Sequence, residues 1–199
     1  MSDAEARQEF LQFMYELETE PDHVLHVARL ALLLFEQLQQ LHELGPTDRA
    51  LLEAAACLHD IGWAVTPGGK EHHKASARLI RERAWKSLEP GEVAVLALVA
   101  RYHRQSLPDP EHKSFMRLAP DDRSRVDRLA ALLRMADGLD RRHRQYVVDL
   151  SARIEADSVN IHLRTREFAD REIAAAARKS DLAELVFRRK FTFSAELVV

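Results

Sequence analysis

Ten histidines stand in a chain of 199 residues that has only 6 glycines and 7 prolines, so imidazole is the side chain whose chemistry is worth following first. His23, the pair His59-Asp60, the pair His72-His73, His103 and Asp137 have the most informative neighbours. Asp60 follows the apolar run Ala54-Ala55-Ala56-Cys57-Leu58, where a buried carboxylate needs a strong partner to replace its lost hydration. Imidazole nitrogens and carboxylate oxygens together form a donor set for a divalent, hydrolytic metal ion. The plainer reading is that histidine at a helix C-terminus simply complements the helix dipole.

These residues must be carried by helices. A capping box at Ser2-Asp3-Ala4-Glu5 predicts a first helix with Phe10, Leu11, Met14 and Leu17 as its apolar stripe. After Glu20-Pro21-Asp22 the pattern predicts a helix over 22–43, with His23 in its first turn. The next starts at Pro46 or Thr47 and runs to His59-Asp60, followed by a flexible loop at Thr66-Pro67-Gly68-Gly69. Helices over 72–85, 91–104 and 121–140 place His72, His103 and Asp137 at or near their ends, with a proline-rich loop between Ser106 and Pro120. Five helix ends can therefore meet at one pocket. Beyond Gln145, alternation at Val148, Leu150, Ala152, Ile154 and again at Val159, Ile161, Leu163 predicts two strands. A helix over 169–187 and a strand over 191–199 complete the pattern. The fold class expected is mainly α: a helical bundle over 1–145 with a small α+β cap of β-β-α-β order over 146–199.

His23-x-x-x-Val27-Ala28, Leu58-His59-Asp60-Ile61-Gly62 and Met135-Ala136-Asp137 resemble the signature of HD-domain metal-dependent phosphohydrolases. Nearly the whole chain resembles, more closely, the C-terminal region of the exopolyphosphatase/guanosine pentaphosphatase family. That likeness is carried by His72-His73-Lys74, Arg101-Tyr102-His103-Arg104, the run from Leu133 to Asp140, and Lys179-Ser180-Asp181-Leu182. In that family exopolyphosphatase chemistry belongs to an actin-like domain with glycine-rich phosphate loops, which these 199 residues do not show. The resemblance implies a first metal held by His23, His59, Asp60 and Asp137, and a second held by His72 and His103 with Asp60 as bridge. It favours His23 over His26 and His72 over His73, by their spacing to Val27-Ala28 and Ser76-Ala77. The chain departs from the pattern at Arg104, where a second histidine is frequent, and at Trp63, where a lysine is frequent.

The implied ion is one or two of Mn, Fe, Co, Ni, Zn or Mg, activating a water for attack at phosphorus. Asp60 and Glu71 are the catalytic candidates, Glu71 as general acid or base. Lys74, Arg101, Arg104 and Arg141 are candidates to hold phosphate oxygens. The expected substrate is a nucleotide or other small phosphorylated compound. A contrasting expectation is a regulatory or dimerisation module with a structural or vestigial metal site, pairing through the strand from Phe191 to Val199.

Composition narrows the rest. With 29 basic and 32 acidic side chains the net charge is −3, so no global field favours nucleic acid. The cluster Arg141-Arg142-His143-Arg144 reads as a solvated face, and His42, His112, His143 and His162 as surface or loop residues. A single cysteine, Cys57, reads as a small core side chain in a reducing compartment. The acidic start of the chain and the short apolar run from Val93 to Ala100 carry neither leader nor membrane span, so the cytoplasm is the expected location.

Overall fold

The computed structural model describes residues 3–198, so Ser2 of the expected capping box and Val199 of the expected last strand lie outside the described residues. Helix α1 (Asp3–Leu17) is followed by α2 (Pro21–Gln37), the short α3 (Gln39–His42), α4 (Pro46–Leu58), α5 (His72–Glu82) and α6 (Pro90–Arg101). Then come the short α7 (Lys113–Met116), α8 (Pro120–Gly138), strands β1 (Val147–Ile154) and β2 (Ser158–Thr165), helices α9 (Asp170–Lys179) and α10 (Asp181–Phe187), and β3 (Lys190–Leu197).

Proline opens α2, α4, α6 and α8 at their first turn, where its missing N–H leaves no hydrogen bond unmade. The apolar stripe of α2 buries Val24, Val27, Ala31 and Leu34, and α6 buries Val95 through Ala100 without interruption, as a central helix must. β2 buries every second residue, Val159, Ile161, Leu163 and Thr165. It pairs antiparallel with β1 and parallel with β3, in the order β1-β2-β3. A parallel neighbour needs a long crossover, and α9 with α10 supplies it. The sheet is seated on α2: Gln37 Oε1 accepts the Ala152 N–H at 3.0 Å, and Arg29 donates to the Val147 carbonyl at 3.1 Å. Its inner residues belong to the same buried cluster as Phe10 and Leu96, so helices and sheet share a core. Among the described residues no helix is long and apolar enough to cross a membrane.

Several expectations need correction. The helix over 22–43 breaks at Leu38, and past the break His42 folds back so that its Nε2–H donates to the Phe35 carbonyl at 2.7 Å. His42 is fully buried rather than at the surface, and its Nδ1 accepts the Leu44 N–H at 3.0 Å. The helix over 169–187 is two helices parted at Ser180, where Arg134 grips Asp181 with two nitrogens. The Thr66–Gly69 loop contains a 3-10 turn, and a short helix interrupts the proline-rich loop. Cys57 is buried as expected, and burial pushes its thiol up to about 12.

Candidate metal centre

Local sequence turns the helix ends inward. His59 ends α4, and its Nδ1 lies 2.7 Å from the Ala56 carbonyl three residues back. His103 follows α6 with Nδ1 2.7 Å from the Ala100 carbonyl, and His72 opens α5 with Nδ1 2.9 Å from the Gly69 carbonyl. His23 does the same with a side chain, its Nδ1 lying 2.8 Å from Asp140 Oδ2. A carbonyl or carboxylate oxygen only accepts, so each of these four rings carries its proton on Nδ1. Each therefore turns an Nε2 lone pair the other way.

All four lone pairs converge. His72 Nε2 stands 3.0 Å and His103 Nε2 3.5 Å from Asp60 Oδ1, while His59 Nε2 stands 3.4 Å from Asp60 Oδ2. His23 Nε2 is 3.8 Å from Asp137 Oδ1. A lone pair 3.0 Å from a carboxylate oxygen is repulsive unless a cation sits between them. His23 Nε2, His59 Nε2 and Asp60 Oδ1 are buried and have no hydrogen-bond partner, an arrangement that burial penalises. Three overlapping triads have donor atoms within 4.8 Å of one another: His23, His59 and Asp60; His59, His103 and Asp137; Asp60, His72 and His103. Converging nitrogen and oxygen donors, three of their atoms buried without a partner, fit a divalent cation, although His72 Nε2 also faces Arg104 Nη1 at 3.4 Å. Asp60, shared by two triads, is placed to bridge.

Close backbone approach makes this possible. At Gly62 a Cβ would stand 2.1 Å from the His72 carbonyl oxygen, so glycine lets the turn after Asp60 lie against the start of α5. Ser76 Oγ locks that contact by accepting the Gly62 N–H at 2.9 Å. From α8, Arg134 gathers two more segments, donating to the Tyr102 carbonyl at 2.9 Å and to both carboxylate oxygens of Asp181.

The electrostatics match. Burial alone would raise the Asp60 carboxyl, and only positive charge on the side of His59, His72 and His103 holds it well below the usual carboxylate range; with those rings neutral, a cation among them would supply that charge. Asp137 is likewise buried and held down, chiefly by Lys179 and then by His59 and His103. Burial drives His103 well below the ordinary imidazole value.

The centre opens into a cavity of 590 Å³ lined by Asp60, His72, His103 and Asp137 together with Trp63, Arg104, Arg141, Arg178 and Lys179. Arg104 and Arg141 are thus where phosphate-holding groups were expected. Glu71, Lys74 and Arg101 are not among the residues lining it. Glu71 and Lys74 pair with each other at the surface instead, and Arg101 lies over the Tyr102 ring. His26 and His73 stand outside the triads, whereas His23 and His72 are within them.

Four participants were not expected. Asp140 orients His23 and accepts the N–H groups of Arg144 and Gln145 at 3.1 and 2.7 Å. Lys179 reaches Asp137 from α9. His143 lies at the surface as expected, yet its ring stacks on His23 with ring centres 3.6 Å apart and pairs with Glu20. Arg142 grips Glu172, which is 1% exposed, so the Arg141–Arg144 cluster is more than a solvated face. Only Asp140 and Lys179 had any signal, an aspartate one helical turn beyond Asp137 and a lysine within a family-like block.

Fold and site together define a helical protein with a histidine–aspartate centre beneath a cavity whose wall carries Arg104, Arg141, Arg178 and Lys179 alongside Glu18 and Glu20. Residues 7–182 match the family model described as Ppx/GppA phosphatase, domain III, and the chain belongs to that phosphatase-related family. The sequence matches no curated protein.

Proposed function

We propose that the chain is a divalent-metal-dependent phosphohydrolase of the HD type, acting on a nucleotide or another small phosphorylated compound. The observation that carries this reading is the set of buried, unpartnered donors, His23 Nε2, His59 Nε2 and Asp60 Oδ1, directed at one another. His23, His59, Asp60 and Asp137 would hold one ion, and Asp60, His72 and His103 a second. When bound, such an ion acidifies a water and polarises a phosphoryl oxygen.

The chain's own groups supply the remainder. Arg104, Arg141 and Arg178 on the cavity wall bind phosphate oxygens, the guanidinium fork suiting two oxygens at once. Asp140 and the carbonyls of Ala56, Gly69 and Ala100 hold the four imidazoles in one tautomer. His143, paired with Glu20 at the cavity wall, is the imidazole placed to carry a proton to a leaving oxygen, whereas Glu71 does not line the cavity. Trp63 stacks on His72 with ring centres 4.6 Å apart and narrows the entrance.

The test is metal content of the purified protein together with phosphate release across nucleotides and phosphoesters, for the natural chain and for Asp60→Ala. Bound metal with release that disappears in a folded Asp60→Ala supports the proposal. Stoichiometric metal without release on any substrate would instead establish a regulatory module built on a structural ion. That second reading draws on the Lys179–Asp137 pair, which already engages one carboxylate of the centre.

A further inference from the structure

The metal reading leaves Lys179 unexplained. Its ammonium belongs to α9, 42 residues along the chain from Asp137, yet it is ion-paired with Asp137 Oδ2 at the edge of the donor cluster. The contact is built rather than incidental. At Gly138, next to Asp137, a Cβ would stand 2.8 Å from the Ala176 Cα and backbone nitrogen. Glycine on α8 and the alanine run on α9 thus let two helix backbones come close enough for Lys179, one turn beyond Ala175, to reach the carboxylate.

We infer that Lys179 is an internal counter-ion that competes with the divalent metal for Asp137 and so sets the affinity of the centre. The inference rests on the metal reading above. Asp137 has two oxygens with different neighbours: Oδ1 faces His23 Nε2 at 3.8 Å, and Oδ2 faces Lys179. The rigid last turn of α8, rather than Lys179, directs Oδ1 at the imidazoles, because a lysine is a flexible point charge and a poor orienting group. What Lys179 contributes is charge. An ammonium on the same carboxylate repels a doubly charged ion nearby and withdraws part of the carboxylate's attraction. The lysine is 24% exposed in its side chain, so solvent weakens this effect without abolishing it. With Lys179 in place the protein carries its own cation at a pair of buried carboxylates, and metal binds against that cation.

The experiment is calorimetric titration of the metal-free protein with Mn²⁺, comparing the natural chain with Lys179→Met and Lys179→Arg. Circular dichroism confirms the fold of each, and Lys179→Gln serves should the Met variant fail to fold. The expected result is a dissociation constant about tenfold lower in Lys179→Met, with Lys179→Arg close to the natural chain. A dissociation constant that is unchanged or higher in the Met variant overturns the inference while leaving the metal reading intact. If neither the natural chain nor the Met variant binds Mn²⁺, Fe²⁺, Co²⁺, Ni²⁺, Zn²⁺ or Mg²⁺ in the same titration, the metal reading falls and this inference with it.

Discussion

Asp140→Asn tests whether the imidazole tautomers are set as the hydrogen bonds indicate. Asp140 is 1% exposed and does two jobs. Oδ1 accepts the N–H groups of Arg144 and Gln145, and Oδ2 lies 2.8 Å from His23 Nδ1. Asparagine keeps the first job, because its carbonyl oxygen still accepts. In the second position it offers an N–H to a ring nitrogen that already bears a proton, and two donors cannot bond. His23 resolves the conflict by moving its proton to Nε2, the atom aimed at the metal. Replacing the orienting partner of a metal-binding histidine typically weakens metal binding by about 10- to 100-fold, about 1.4–2.8 kcal/mol. The folded state should suffer less, by about 1 kcal/mol, since one neutral-range hydrogen bond is exchanged and the turn keeps its cap. Asp140→Ala, which loses both jobs, should cost stability as well as metal. Mn²⁺ calorimetry and thermal melts of the metal-free proteins separate the two quantities. If Asp140→Asn binds Mn²⁺ as tightly as the natural chain, the argument from tautomers is wrong.

Three further outcomes are expected. Gly62→Ala would drive a methyl to 2.1 Å from the His72 carbonyl oxygen; it should destabilise by about 1–3 kcal/mol in urea denaturation and reduce metal stoichiometry, and an unchanged midpoint would contradict the close packing. Arg134→Met removes a 3% exposed guanidinium that holds Tyr102 and Asp181, and should cost about 2–3 kcal/mol by the same measurement. The metal-free protein should also lose thermal stability as pH falls from about 7 toward 4. Burial lowers His26 and His73 to about 4 and lowers His42 as well. The unfolded chain therefore takes up protons near the ordinary histidine value while the folded chain does not, and the stability present above that value is lost below it. A melting temperature that stays flat between pH 7 and 5 would show that these imidazoles are not held neutral by the fold.

The helices were readable because their apolar stripes and prolines act locally. Val27, Leu30 and Leu34 repeat at helical spacing, and Pro21, Pro46, Pro90 and Pro120 mark first turns. The six donors could be gathered because each lies at a helix end, where a short side chain reaches past its own backbone. What escaped depends on contacts between distant segments. His143 and Gln145 take left-handed backbone conformations, each with φ 54°, and fold the basic cluster back over His23. Neither is a glycine, so nothing in the local sequence announces that turn. The break at Ser180 depends on Arg134, far earlier in the chain, and the burial of His42 depends on a carbonyl that only a broken helix leaves available. Glu71 and Lys74 show the converse: they sit beside His72 and His73 in sequence, but they pair with each other at the surface and do not line the cavity.

The donors of the centre are spread along the chain from His23 to Asp137, and Lys179 closes the set from α9. A polypeptide emerging from the ribosome therefore makes its histidines well before it makes the second carboxylate. At synthesis rates of about 5–20 residues per second, His23 waits on the order of ten seconds for Asp137. During that interval the nascent chain carries an incomplete, acid-poor cluster of imidazoles. On the proposed reading, selection of an ion would thereby be deferred to the finished fold, when the second carboxylate and the counter-charge of Lys179 would act together on whichever cation arrives.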